Sequence, residues 1–144
     1  MIKPKSVTLL QPALPEDAFA PESDGGSEGM YHSVLADGKV CGPVLVSYSI
    51  NDETARIPYD IASHIARHSQ PGKQNYPEPA RSMAQHGAAQ TGAHQVSLAN
   101  RPSTPRWRRG MVVNLNGYGL ISDHTDVFKL ELARMVLSAA TTTT

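Results

Sequence analysis

The stretch PVLVSYSI, residues 43–50, constrains the fold of this chain more than any other. Its apolar residues run on instead of alternating with polar ones, so a strand built from it has two apolar faces and needs cover on both. That pattern belongs to a parallel strand inside an α/β layer, and Pro43 stands at its start, where a missing N–H least disturbs a ladder. Residues 6–10 (SVTLL) and 111–115 (MVVNL) read the same way.

Two segments have helical period. In IPYDIASHIARH, residues 57–68, Pro58 suits a first turn, and Ile61, Ala62, Ile65 and Ala66 share one face. In DVFKLELARMVLSAA, residues 126–140, one face holds Phe128, Leu132, Met135, Val136 and Ala139. The order strand, loop, strand, helix, long loop, strand, helix predicts an α/β fold, a parallel sheet of about three strands with flanking helices. Three strands and two clear helices make a thin sandwich, so the chain reads as part of a sheet.

The remaining residues lack periodicity. Residues 15–29 are rich in Pro, Gly and acid, and residues 69–110 carry repeated Pro, Gly, Gln, Asn and Ser, which predicts an irregular loop or insertion. A chain of 144 residues with no internal repeat fits one domain, or a piece of a larger one. Thirteen basic and thirteen acidic side chains cancel, so no net field draws nucleic acid or an anionic membrane. No apolar run approaches the roughly 20 residues of a membrane-spanning helix, and the first residues lack a signal-peptide pattern. With a single cysteine, Cys41, an internal disulfide is impossible, which together with those absences predicts a soluble cytoplasmic protein.

In an open parallel sheet, functional groups gather where strands end at their carboxyl edge. PVLVSYSI runs into Asn51-Asp52, and MVVNLNGYGLIS into Asp123-His124. An acid after one strand and a histidine after the next could meet at that edge, giving a carboxylate that orients an imidazole, the acid–base half of a catalytic triad. The plainer reading of Asp52 is a turn or N-cap acid, and of His124 a surface loop residue. Glu53 and Asp60 are weaker acids for the role, being nearer the helix, while Asp123 and Asp126 suit the start of the last helix.

Ser27 sits in GGSEG, the letters of G-x-S-x-G, but the preceding FAPESD is no strand and no helix of useful length follows. The context a nucleophile elbow needs is missing, and Ser27 reads as a loop residue, a weak nucleophile candidate only. His64 and His68 stand four apart with no acid between them and no third ligand, so no metal is expected; phosphate-binding glycine motifs are lacking too, and no cofactor is expected. The run RPSTPRWRRG groups Arg101, Arg106, Arg108 and Arg109 around Trp107, a combination able to contact phosphates and stack on bases, although a solvated loop explains it as well and nucleic-acid binding is a minor alternative.

The segments SVTLLQPAL, GPVLVSYSINDETARIPYDIASHIAR, MAQHGAAQTGA and VVNLNGYGLISDHTDVFKLELARMVLSAA together resemble the C-terminal half of an α/β-hydrolase-fold protein of a serine-hydrolase-like group. The resemblance implies that Asp52 is the triad acid and His124 the triad base. It implies too that the nucleophile elbow and oxyanion loop belong before Met1. It assigns no role to the glycine-rich connection at Gly87. The expected function is therefore the acid–histidine half of an enzyme hydrolysing ester or amide-type acyl bonds, inactive alone, with an N-terminal half or partner chain supplying the serine for a small-molecule acyl substrate. The alternatives are a non-catalytic, truncated or interaction protein that needs a partner and, more weakly, an RNA-associated protein acting through the Arg-Trp loop.

Overall fold

A computed structural model describes residues 2–22, 26–55 and 81–141. The elements run β1 Val7–Leu10, α1 His32–Ala36, β2 Val44–Tyr48, α2 Met83–His86, β3 His94–Ser97, a 3-10 turn Leu98–Asn100, β4 Val112–Asn116 and α3 Leu130–Thr141. The strands form one sheet in the order β1-β2-β4-β3, every pair parallel. Val7 lies opposite Val44, Val44 opposite Val112, and His94 opposite Val113. The chain is thus an α/β protein.

The first four residues of β2 and of β4 are all buried, as unbroken apolar runs require. On one face Leu45, Val113 and Leu115 pack with Leu98, Trp107, Ile121 and the Leu132, Met135 and Ala139 stripe of α3. On the other, Val44, Val46 and Val112 meet Phe19, Val40, Met83 and Ala88. Among the described residues the second face is covered by loops and short helices, with the segment around Phe19 packed directly on it.

Two departures from the sequence reading have physical causes. A fourth strand, β3, lies within the 69–110 stretch that composition alone marks as irregular. HQVS has one apolar residue, Val96, and only that residue is buried. Its place at the sheet edge is held by backbone pairing to β4, which leaves no periodic trace in the sequence. The last helix begins at Leu130 instead of near residue 126, because Asp126 and Lys129 are engaged in loop bonds. Phe128 consequently sits off the packed face, 95 % exposed. The helix expected over residues 57–68, with Asp60, His64 and His68, lies outside the described residues.

Candidate active site

Segments leaving the carboxyl ends of β1, β2 and β4 converge. Gln11 follows β1, the turn 49–52 follows β2, and the loop 117–124 follows β4. Asp52 is fully buried at the centre. Its backbone N–H donates to Ser49 O at 3.0 Å, and its Oδ1 accepts the N–H of Ala55 at 2.9 Å, capping the helical turn that starts at Glu53. Its Oδ2 accepts Gln11 Nε2 at 2.9 Å and stands 2.8 Å from His124 Nδ1. The plain N-cap reading of Asp52 is therefore correct for one oxygen, and the histidine takes the other.

The β4 loop is fastened to the β2 loop through Ile121. Gly117 N–H donates to Tyr48 O at 2.8 Å, and Ile121 N–H donates back to Gly117 O at 2.7 Å. A Cβ on Gly117 would stand 2.6 Å from Ile121 Cδ1, so only glycine allows the buried Ile121 to fold back this closely. Ile121 O then accepts Ser49 Oγ at 2.9 Å and Asn51 Nδ2 at 3.3 Å. This double bond to the acid's own turn sets the start of the histidine loop.

Asp123 and Asp126, expected to serve the last helix, instead knit the loop around His124. Asp123 Oδ1 accepts Thr125 N–H and Oγ1, both at 2.8 Å, and Asp126 Oδ2 accepts Ser122 N–H at 3.0 Å and Oγ at 2.9 Å. Asp126 also pairs with Lys129 at 2.7 Å. The Lys129 bond first, and the Ser122 bonds next, hold the Asp126 carboxyl at about 2, below its ordinary 3.8. The hydrogen bonds from Thr125 lower Asp123 as well. A depressed carboxyl contributes order in full above its free value and loses it as pH falls through its folded value. The protection of the Ser122 amide, its exchange rate relative to a free amide at the same pH, should therefore hold above pH 3.8 and be lost as pH drops toward about 2. Asp126→Asn should lower that protection at neutral pH.

His124 is the exposed end of the arrangement, its side chain 38 % accessible. An ionised carboxylate only accepts, so the proton between the two groups is assigned to Nδ1, and Nε2 keeps a lone pair. Nε2 has no hydrogen-bond partner among the described residues. A buried acid holding an imidazole with its basic nitrogen turned outward can accept a proton from an incoming O–H or S–H group.

Ser27 is not brought to this pair. Its loop is exposed and tied to the turn beneath it, with Gly29 N–H on Ala20 O at 3.0 Å and Tyr31 N–H on Ala18 O at 2.7 Å. A Cβ on Gly29 would lie 2.3 Å from Asp17 O, so that glycine answers to packing. Trp107 is buried among the α3 residues and its indole N–H donates to Ser138 Oγ at 2.9 Å, leaving no face for a base to stack on. Arg106, Arg108 and Arg109 are exposed around it. Among the described residues no three His, Cys, Asp or Glu side chains cluster as a metal site, and no helix is long and apolar enough to cross a membrane.

Sequence reasoning missed Gln11, Ser49 and Asn51. The sole signal is position: Gln11 and Asn51 come just after an apolar run, and Ser49 near the end of one. No family model, curated protein or solved structure matches this chain.

Proposed function

We propose that Asp52 and His124 form the acid–base half of a serine-hydrolase site acting on an ester, amide or similar acyl bond. Asp52 fixes the ring and stabilises its cation, and His124 Nε2 takes the proton of a serine that another segment or chain, outside the described residues, brings to the carboxyl edge of the sheet. The observation that carries this reading is the 2.8 Å contact between a fully buried Asp52 and a half-buried His124 across two parallel-strand loops. The resemblance of the chain to the C-terminal half of an α/β-hydrolase supports the same assignment. The lone cysteine fits a reducing compartment, and we place the protein in the cytoplasm.

On its own the chain should transfer acyl groups only slowly, from activated esters, by direct attack of the His124 lone pair. With p-nitrophenyl acetate, His124→Ala should lower the rate roughly tenfold, less than the ~10²–10⁴-fold that a positioned base supplies in a complete site. Ser27→Ala should leave the rate unchanged. Equal rates for wild type and His124→Ala would remove the basis of the proposal, and a robust activity abolished by Ser27→Ala would return the nucleophile to that loop.

A second reading, an interaction protein without catalysis, is favoured by the edge at β1. Among the described residues nothing pairs with its outer side, and Leu10, Phe128, Leu130 and Leu137 line an apolar groove of about 540 Å³ beside it. Such an edge takes a further strand readily. The two readings share a partner chain and differ in whether His124 matters once that partner is bound.

A further inference from the structure

We propose that Gln11 is a positioning residue for the Asp52–His124 pair, an inference that rests on the acid–base reading of that pair. Gln11 leaves the end of β1, is 1 % exposed, and reaches both loops of the site with one amide group. Nε2 donates to Asp52 Oδ2 at 2.9 Å and to the carbonyl of Asp123, the residue before His124, at 3.4 Å. Its backbone N–H is fixed in turn by Ser47, through the carbonyl at 3.2 Å and Oγ at 3.1 Å.

The chemistry of an amide suits this place. Asp52 Oδ2 receives two groups, Gln11 Nε2 and His124 Nδ1, and the other oxygen is committed to Ala55. An amide N–H in the first of those positions can only donate. It therefore occupies one side of Oδ2 and leaves the remaining lone pair for Nδ1–H, which fixes both the plane of the carboxylate and the tautomer of the ring.

The fold accepts two local costs to keep Gln11 there. Its φ is 42°, left-handed for a residue that is not glycine. Its Oε1 is buried without a partner among the described residues. Turning the amide over would give Oε1 a place only by setting it against the Asp52 carboxylate, so the orphan is inherent in the bond to Asp52. A residue chosen for packing alone would carry neither cost, and local strain of this kind concentrates where function requires it.

The test is the ¹⁵N spectrum of the His124 ring in the full chain, for wild type, Gln11→Met and Gln11→Asn, with the thermal midpoint of each. Methionine keeps the bulk without a donor, and asparagine accepts the left-handed backbone but loses the reach. Wild type should show a protonated Nδ1 with a slowly exchanging, downfield proton. Both variants should lose that resonance and show mixed tautomers while remaining folded, and their acyl transfer from p-nitrophenyl acetate should fall severalfold. If the wild-type ring lacks the Nδ1–H signature, the acid–base reading itself fails. If wild type shows it and either folded variant keeps it with a lower midpoint, Gln11 is structural only and this inference falls while the pair stands.

Discussion

Asp52→Ala is expected to be among the most damaging single substitutions in the described part of the chain, to the site and to the fold together. The carboxylate satisfies two buried donors, Ala55 N–H and Gln11 Nε2, besides His124 Nδ1. An orphaned buried donor costs about 1–3 kcal/mol, and relief from burying a charge returns part of that, so a net loss of roughly 2–4 kcal/mol follows. For a chain of this size the thermal midpoint should fall on the order of 10 °C. Asp52→Asn separates the two effects. Its amide oxygen can still accept Ala55 N–H, but its NH₂ then faces Gln11 Nε2 and the proton of Nδ1, donor against donor. The histidine should turn to the Nε2–H tautomer and lose its outward lone pair, with a smaller loss of stability. A urea melt with the ring ¹⁵N spectrum checks both; an Asp52→Ala variant as stable as wild type would mean that the buried donors find other partners.

Asn114→Leu should cost a similar amount by a different route. Asn114 is the polar residue inside the apolar run of β4, 1 % exposed, and its side chain clamps one residue of the chain opposite: Oδ1 accepts Ala88 N–H and Nδ2 donates to Ala88 O, both at 2.9 Å. Leucine fills the space and leaves both buried backbone groups of Ala88 without partners, at roughly 2–4 kcal/mol. The clamp needs Gly87, whose φ of 77° and ψ of −175° fall in a region nearly closed to other residues. A Cβ there would stand 2.8 Å from Asn114 Cγ. Gly87→Ala should therefore lose about 1–3 kcal/mol to backbone strain and further stability to displacement of the clamp. Urea unfolding of the two single variants and the double should show losses that do not add, since both break one contact. The consequence reaches the site: α2 supplies Ala84 O to Ser49 N–H at 2.9 Å, and Ser49 starts the turn that carries Asp52. Loosening the clamp should also quicken amide exchange at Ser49.

The parts of the fold that could be read in advance are those whose stabilisation is carried by side chains near in sequence. β2 and β4 are legible because apolar runs with two buried faces fit little else, and the core of the last helix because Leu132, Met135 and Ala139 recur at helical spacing. Asp52 and His124 were legible as candidates because each lies in the loop that leaves the carboxyl end of such a strand. β3 was not, since backbone pairing at an edge asks nothing of side-chain pattern. Phe128 was misplaced because the bonds of Asp126 and Lys129 outweigh helical propensity over one turn.

What the sequence alone determined, then, is a parallel α/β layer with an acid and a histidine at the carboxyl ends of two of its strands, because hydrophobic periodicity and strand-to-loop position are local properties. Only the tertiary structure decided that those strands are neighbours, that Asp52 is wholly buried while His124 reaches solvent, and that Gln11, far away in the chain, ties the two loops together. Hydrogen bonds among residues so distant in sequence depend on strand order and register, which no local pattern encodes.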